Sequence, residues 1–391
     1  MALRWRILAV LFLARTAMGF QFQSVGALAP LMLEEYGLGL ADIGLLVGLY
    51  LAPGIAIALP GGAIAARWGD KRVVTLGLGL MALGGALTLL ASDLPALIVG
   101  RVVAGVGGVI LNVIMTKMIT DWFAGREIAT AMSIFINSWP LGITLALLTL
   151  PGLAAAGGIG LSLIGVAGFI VVAGFLFALY YRPAPVPAAA VNAARQPGSS
   201  QSSALPLGAV LCAGSVWGAF NAALIVVISF GPLFLTGLGW GLSVANSAAS
   251  TLMLCLAIVG PFGGMLADRS GRVIAVISVS MVSFTIGILA LFVAPEWGLV
   301  LLFATLGACA GLGAGPIMSL PAQVLDTDRR ALGMGVFFTA YYAFMLVGPW
   351  VAGWLAEVRA EVTAALIFAV ALQAVSIAAL WGFARLSAAR V

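Results

Sequence analysis

A few charged side chains lie inside long apolar segments of this sequence, and they are the residues best placed to do chemistry. Arg15 lies in the first such segment, nine residues after Arg6. At a helical rise of about 1.5 Å per residue it lies roughly 13 Å deeper, close to the middle of a hydrocarbon layer about 30 Å thick. An arginine at that depth costs about 2.5–3.5 kcal/mol on insertion scales, so we expect it to face a wet cavity or a partner.

No acidic partner for Arg15 is available within the apolar segments. All thirteen Asp and Glu residues fall in loops or at segment ends, and the sequence contains no histidine. We therefore expect the guanidinium to bind a substrate anion. The alternatives are that it binds helix carbonyls or glutamine side chains, or extends toward the aqueous side. Without a buried acid or histidine a proton relay is hard to build, which favours exchange of anions or proton entry on the substrate.

The sequence offers no enzyme site. Its three cysteines, Cys212, Cys255 and Cys309, fall in three different apolar segments, whereas a metal or redox role would need clustered ligands. The glycine-rich stretches follow no predicted strand, so they do not indicate a phosphate-binding loop. Basic runs with interleaved aromatic residues are lacking as well. We predict no catalytic residue, no metal, no cofactor and no nucleic-acid partner.

The elements that carry these residues are predicted membrane-spanning helices. Hydrophobic residues make up 63% of the chain and charged residues 8%, with a mean hydropathy of +1.19. Apolar segments of about 20 residues can cross a bilayer, and these lack the strict alternation of strands, so they predict helices. The twelve predicted segments are 7–33, 43–65, 73–91, 96–118, 128–150, 158–180, 207–235, 243–267, 273–293, 299–321, 332–354 and 362–384.

Loop charges and one polar segment set the predicted topology. With the N-terminus in the cytoplasm, nearly all basic loop residues lie on the cytoplasmic side and only Arg359 lies outside, as the positive-inside rule requires. Residues 183–205 are rich in Pro, Ser and Gly and predict a cytoplasmic linker between six-helix bundles at 1–182 and 206–391. The expected location is the cytoplasmic (inner) membrane of a bacterium, with both termini in the cytoplasm.

The chain repeats itself at an offset of 202 positions (263 − 61), since the stretch 61–69 recurs as 263–271. The interface between two membrane-embedded copies is the expected place for a substrate site. At this offset Arg15 corresponds to Trp217, so a cation on one wall would face an indole on the other, which suits a small, flat, delocalised anion. The predicted substrate-binding residues are Arg15, Phe22, Gln23, Asn112, Asn137, Trp217, Asn221 and Tyr341.

The two glycine-arginine stretches after the second and eighth segments, together with Arg101–Gly107 and Gly348-Pro349, resemble the major facilitator superfamily over essentially all 391 residues. The resemblance implies an all-α membrane protein with twelve transmembrane helices in two pseudo-symmetric six-helix bundles, and secondary transport by alternating access. Among the branches, the chain is most similar to bacterial cyanate and nitrate/nitrite porters. Its second and eighth segments lack the arginines that nitrate porters would carry as anion ligands, so nitrate itself is not expected.

The repeated loop has a physical rationale as a gate. An acidic side chain at one helix end can face the positive N-terminus of another helix, while arginines tie neighbouring loops together. The first copy has Ala66 where this acid belongs, and Arg101 in the fourth segment has either a structural or a coupling role. The predicted gating or coupling residues are Arg67, Arg101, Asp268, Arg269 and Arg272. The alternative is that the loop residues only set the topology.

One face of the predicted fourth helix carries four residues whose spacing matches the helical repeat: Arg101, Gly105, Gly108 and Asn112.

These observations favour a secondary active transporter that moves a small inorganic or organic anion by alternating access, as a monomer in the lipid bilayer. One alternative is an exporter of hydrophobic or cationic compounds, which would generally need a buried acid. Another is a non-transporting membrane sensor or scaffold, which predicts a soluble signalling domain or a long tail. The first interpretation accounts best for the charge in the first segment.

Overall fold

The structure is a computed structural model and describes residues 3–57, 68–123, 127–184, 205–325 and 330–388. Within these residues the chain is helical and forms no strand, which confirms the all-α class. The α-helices are α1 (Leu3–Glu35), α2 (Leu40–Leu49), α3 (Gly54–Ile57), α4 (Asp70–Leu89), α5 (Leu94–Phe123), α6 (Ile128–Ile136), α7 (Ser138–Tyr180), α8 (Leu207–Gly237), α9 (Leu242–Ser270), α10 (Val273–Ala290), α11 (Leu299–Ser319), α12 (Arg330–Arg359) and α13 (Thr363–Ala388). Short 3₁₀ turns flank α11 at Glu296–Gly298 and Leu320–Gln323. The linker predicted at 183–205 lies almost entirely outside the described residues.

Eleven helical stretches in the described residues are long and apolar enough to cross a membrane, so the chain is a multi-pass membrane protein. The longest, Thr130–Tyr180, has 51 residues. It leaves helical geometry at Gly157 and Gly158, and Gly158 has a φ of 74°, which glycine adopts without a Cβ penalty. The Ser162 hydroxyl donates to the Leu150 carbonyl at 2.8 Å, whereas a straight helix would separate these residues by about 18 Å. The chain therefore reverses at the glycine pair, and this stretch has two antiparallel arms.

A second interruption lies earlier in the same stretch. The sequence predicts one continuous segment over 128–150, but α6 ends at Ile136 and α7 begins at Ser138. The Asn137 N–H donates to the carbonyl of Ile134 at 3.2 Å, three residues back, as in a 3₁₀ turn. Because the final carbonyls of a helix lack partners within it, the end of α6 offers acceptors to other helices.

Contacts between helix ends show that both halves of the chain run in the same sense. The beginning of α1 packs on the end of α5, where the ring centroids of Trp5 and Phe123 are 5.2 Å apart. The end of α1 lies at the beginning of α9, where the Asn246 side-chain amide donates to the Ala27 carbonyl at 3.3 Å. We call the side that holds the beginnings of α1 and α8 the terminal side. The opposite side, with the beginnings of α2 and α9, is the distal side.

The two halves meet closely toward the distal side, where α2 packs along α12. A Cβ atom on Gly44 would overlap the carbonyl of Pro349, and one on Gly353 would overlap the carbonyl of Leu40. Small residues let membrane helices approach until their backbones touch, so that dispersion holds them together. Glycine at these positions therefore sets the distance between the halves on the distal side.

Three buried polar side chains lie where α1 meets α8 and α9, at a contact that we call the distal seam. The Gln23 side-chain amide donates to the Ile228 carbonyl at 3.4 Å, and a Cβ added at Gly26 would meet both Gln23 and Ser229. Gln23 Oε1, Ser229 Oγ and Asn246 Oδ1 are buried and have no hydrogen-bond partner among the described residues. The distal seam is therefore closed, but three of its polar atoms are unsatisfied.

Candidate functional site

Arg15 lies midway along α1, and its guanidinium reaches two other helices of the first half. Its Nε donates to Asn112 Oδ1 on α5 at 3.0 Å. Its Nη1 donates to the carbonyls of Phe135 and Ile136 at 3.0 and 3.2 Å, which the end of α6 leaves available. The guanidinium carbon also lies 4.8 Å from the centroid of the Phe135 ring. Asn137, a predicted site residue, directly follows these carbonyls and is half-buried.

These partners are neutral, so they satisfy N–H groups of Arg15 without cancelling its charge. The two carbonyl contacts match, in part, the alternative interpretation of the sequence, in which the Arg15 guanidinium binds helix carbonyls. Every described Asp and Glu lies in a loop or in the first or last turn of a helix, so no described carboxylate reaches the interior. Within the described residues, Nη2 makes no hydrogen bond. A guanidinium carries five N–H donors, so Arg15 retains both its positive charge and donors for a ligand.

Asn112 connects Arg15 to the other half of the chain. Its side chain accepts from Arg15, and it lies beside the side chain of Tyr342, on α12. Tyr341 and Tyr342 both lie near Arg15. The site therefore lies between the two halves, and its cation and its amide come from the first half while its two phenols come from the second.

An aromatic wall borders this site on the side of the second half. Trp217 on α8 stacks with Tyr341 at a centroid distance of 6.2 Å and with Phe220 at 6.3 Å. Tyr341 in turn contacts Tyr342 at 4.9 Å and Phe338 at 6.2 Å. The structure thus brings together two of the predicted site residues, Trp217 and Tyr341, and joins them to Arg15 through the tyrosine pair.

Three other predicted site residues have partners of their own. Phe22 is buried and packs on Trp139 within the first half, at a centroid distance of 5.1 Å. Gln23 belongs to the distal seam. The Asn221 side-chain amide donates to the Trp217 carbonyl one turn earlier in α8, at 2.8 Å. None of these described contacts joins them to Arg15, so their part in substrate binding stays a prediction.

Two stretches of the chain, residues 11–245 and 210–390, match the model of the Major Facilitator Superfamily. Together they span nearly all of its length. This chain belongs to the Major Facilitator Superfamily. Proteins of this family are transporters rather than enzymes, which agrees with the lack of an enzyme site in the sequence.

Curated relatives of this major facilitator protein match only part of it. The quinolone resistance protein NorA of Staphylococcus aureus (strain MRSA252) is 30% identical over 130 residues, which cover 32% of this chain and 31% of NorA. The choline/ethanolamine transporter FLVCR2 of Rattus norvegicus is 25% identical over 151 residues, or 38% of this chain and 28% of that protein. The chain therefore matches less than a third of the length of these relatives. The resemblance to cyanate and nitrate/nitrite porters stays a prediction.

Solved structures match the whole chain. A bacterial homologue of the human lysosomal transporter Spinster, in an inward-facing and occupied conformation, gives a TM-score of 0.76 at 17% identity and covers 99% of this chain and 97% of its own. A mutant of the nucleoside transporter NupG gives a TM-score of 0.75 at 17% identity, and the match covers 98% of this chain and 100% of the NupG chain. At this identity the likeness establishes the major facilitator fold alone.

Arg101 ties three helices of this major facilitator protein together. Its Nε donates to the carbonyl of Leu46 at 2.9 Å, and Nη1 and Nη2 donate to the carbonyls of Gln21 and Phe22, both at 3.0 Å. The guanidinium carbon lies 4.7 Å from the centroid of the Tyr50 ring, and the side chain is buried. These contacts support the structural role of Arg101, which was one of the two alternatives from the sequence. The other alternative, a role in coupling, stays a prediction.

Three of the predicted gating residues, all from the second copy of the loop, lie on the terminal side. Asp268 and Arg269 are exposed in the last turn of α9, and Arg272 is exposed just before α10. Arg67 lies outside the described residues. The part of these residues in a gate therefore stays a prediction.

Three residues that the loop pattern does not single out form a cluster on the same side. The Lys117 ammonium bonds Asp70 at 2.6 Å and Asp121 at 2.8 Å. Asp70 lies only four positions after Ala66, where the first loop copy lacks its acid. This short spacing is the signal in the sequence that could have pointed to Asp70.

Tyr342 is the site residue that the sequence analysis missed. It is only 2% exposed, and it lies beside Asn112 of the opposite half. Its neighbour Tyr341 is predicted from an aromatic ring in the middle of a segment, and Tyr342 carries the same signal one position later. The adjacent pair was therefore the available clue.

Proposed function

We propose that this protein is a secondary active transporter that moves small anions across the cytoplasmic membrane of a bacterium by alternating access. In this proposal the reversal at Gly157 and Gly158 brings the number of spans to twelve. The spans form six-helix bundles at 1–182 and 206–391, joined by a cytoplasmic linker. The terminal side faces the cytoplasm, so the closed distal side makes this an inward-facing conformation of a monomer.

One observation carries the anion proposal: the charge of Arg15 lies near the opposite half, and its hydrogen-bond partners among the described residues are all neutral. In a low-dielectric interior a positive charge attracts an anion far more strongly than in water. The two N–H groups of Nη2 can donate to one or two oxygens of a carboxylate or a planar inorganic anion. The carbonyl partners hold the guanidinium in place, so little side-chain freedom is lost when a ligand binds.

The aromatic wall supports a preference for flat or delocalised anions. Trp217 and Tyr341 offer ring faces beside the cation, and the tyrosines add hydroxyl groups that can donate to the anion. A ligand with a flat body could stack on the rings while its charged end reaches Arg15. The proposed substrates therefore include small organic acids as well as inorganic anions.

The driving force follows from the charges. A membrane potential opposes anion entry by about 2.3 kcal/mol per charge per 100 mV. Since the described interior holds no carboxylate, and the sequence no histidine, to carry a proton, we propose exchange for another anion or a proton carried on the substrate itself. The predicted gating residues Arg67, Arg101, Asp268, Arg269 and Arg272 are proposed to act in the conformational change.

Counterflow in proteoliposomes with nitrate, cyanate, formate and benzoate tests the anion site. Hydrogen bonds to charged groups contribute about 1.5–3 kcal/mol, so we expect Arg15→Gln to lower anion counterflow about 10- to 100-fold. Arg15→Lys retains the charge and should retain part of the transport. Arg385→Gln is the matched control, since it removes an exposed arginine at the end of α13. Normal anion counterflow in Arg15→Gln would refute the anion site.

Export of hydrophobic or cationic compounds is the second candidate, and the partial similarity to NorA favours it. The charge of Arg15 opposes it, because a cation in the site would be repelled and no described carboxylate is present to compensate. Thermal stabilisation of the purified protein separates the two: stabilisation by cationic dyes supports export, and stabilisation by the small anions supports the first proposal. Membership of a transporter family favours both over a sensor or scaffold.

A further inference from the structure

The beginning of α2 receives a carboxylate from the opposite half of the protein. The N–H of Ala41, in the first turn of α2, donates to Glu357 Oε2 at 3.0 Å, and Glu357 lies in the last turn of α12. A Cβ atom on Gly39 would overlap the same carboxylate. Glu357 therefore lies directly on the N-terminal end of α2.

The N-terminus of a helix is a favourable place for this negative charge. Its first N–H groups have no partners within the helix and carry a partial positive charge. Asp42 of α2 accepts from the Gly39 N–H at 2.9 Å and so satisfies one of these donors from within its own half. Glu357 satisfies another from across the interface, and only while the halves are together on the distal side.

The surrounding contacts make this carboxylate part of the distal closure. On α2 the contact at Ala41 lies between Leu40, which touches Gly353, and Gly44, which touches Pro349. When the distal side opens, α2 and α12 must separate, and the Glu357 carboxylate must leave the helix end.

We propose that Glu357 is a positioning residue for transport, a latch that holds the distal side closed by binding the positive end of α2. The proposal rests on the alternating access of the proposed function and not on the nature of the substrate. It assigns to the distal side a gating contact that the loop motifs of the terminal side do not predict.

Distance measurements between spin labels in the full chain, reconstituted in lipid, test the latch. The native cysteines are replaced, and labels are placed on the distal side at Ser92→Cys in the first half and Val293→Cys in the second, both exposed. Carboxylates at helix N-termini contribute modest energies at exposed sites, so we expect Glu357→Gln to raise the ratio of distal-open to distal-closed protein about two- to fivefold.

A neighbouring acid supplies the matched control. Glu361 is exposed four positions later, but its carboxylate accepts from the Thr363 hydroxyl at 3.0 Å in its own half. Glu361→Gln removes the same charge from the same side and should leave the label distances unchanged. An equal shift in both variants would overturn the latch, because net charge alone would then explain it.

Two further readouts address the contact itself. Gly39→Ala pushes the carboxylate away from α2 and should favour the open state like Glu357→Gln, with little added effect in the double variant because both changes remove one interaction. High salt should raise the open fraction in the wild type and not in Glu357→Gln, since salt screens exposed charges. Additive effects, or equal salt responses, would count against the latch.

Failure of the latch and failure of the proposed function give different results. If two distance populations exist but Glu357→Gln leaves their ratio unchanged, the latch is wrong and alternating access stands. If Arg15→Gln loses anion counterflow while its label distances still respond to Glu357→Gln, both proposals are supported. A single distance population in every variant would overturn the latch together with alternating access.

Discussion

The two halves of this transporter repeat one sequence pattern but differ in the chemistry of their interiors. Two arginines of the first half, Arg15 midway along α1 and the buried Arg101 on α5, correspond to aromatic residues of the second half at the offset of 202 positions: Arg15 to Trp217, and Arg101 to Phe303. The arginines bind carbonyls of neighbouring helices, whereas Trp217 stacks in the aromatic wall and Phe303 packs, fully buried, near Gly231.

This difference indicates how a duplicated unit can build an asymmetric site. The helices and the glycine contacts form the scaffold. Substitutions at single positions place a charge on the wall formed by the first half and aromatic rings on the wall formed by the second half. The first half supplies a fixed cation, and the second supplies aromatic surface and hydroxyl groups.

The largest effect is expected at Arg101. Arg101→Lys keeps the charge buried but cannot reach three carbonyls as the planar guanidinium does, so it leaves a poorly paired charge among α1, α2 and α5. We expect a loss of about 3 kcal/mol of stability, measured as a marked fall in the thermal unfolding temperature of the purified protein. Arg101→Met removes the charge as well and should be less damaging.

The corresponding position of the second half is the control. Phe303→Leu removes part of an apolar contact without stranding a polar group, and it should lower the unfolding temperature less than Arg101→Lys. If the lysine variant is as stable as the wild type, the carbonyl contacts of Arg101 are dispensable. The halves would then differ in amino-acid composition at this position but not in how the position contributes to stability.

The second effect concerns the charge of the site. Asn112→Asp keeps an acceptor for Arg15 Nε but adds the negative charge that the interior lacks, so the site becomes neutral. We expect anion counterflow to fall at least about tenfold, since a paired guanidinium no longer attracts an anion. Asn112→Leu removes the hydrogen bond without adding charge and should have the smaller effect. Equal activity of Asn112→Asp and the wild type would show that the charge of Arg15 does not bind substrate.

The smallest effect is expected at the contact between the halves. Tyr342→Phe removes the hydroxyl that lies beside Asn112 and Arg15, and a single hydrogen bond made by this hydroxyl when an anion is bound would contribute about 1 kcal/mol, or about fivefold in an equilibrium. We expect the apparent KM for anion counterflow to rise about two- to fivefold. Tyr180→Phe, at an exposed position, is the control. An unchanged KM would indicate that Tyr342 does not orient the site.

Much of the fold follows from sequence because membrane helices are set by local apolar length. The fourth predicted segment illustrates this. Its shared face holds in the structure: Arg101 and Gly105 face α2, Gly108 meets the Tyr50 hydroxyl, and Asn112 meets Arg15. A helix of fixed pitch makes such a face predictable without knowledge of its neighbours.

The partners of the site were not predictable in the same way. The carbonyls that bind Arg15 are available because the predicted segment 128–150 is interrupted at Asn137. Pro140, which has no N–H for the Ile136 carbonyl, is a sequence signal for a kink, but it does not indicate that Arg15 fills the gap. The approach of Tyr342 to Asn112 and the hydrogen bond from Ala41 to Glu357 join residues of different halves. Their pairing depends on how the halves pack, which no local pattern encodes.

The unsatisfied atoms of the distal seam have a consequence for the energetics of the cycle. A carrier works only if its two orientations differ little in free energy, since a small ligand can shift the balance only by its differential affinity. Gln23, Ser229 and Asn246 each bury an oxygen that has no hydrogen-bond partner among the described residues, and leaving such a group unpaired costs about 1–3 kcal/mol. If the halves separate here during transport, hydration of these oxygens therefore lowers the free energy needed to open the distal seam.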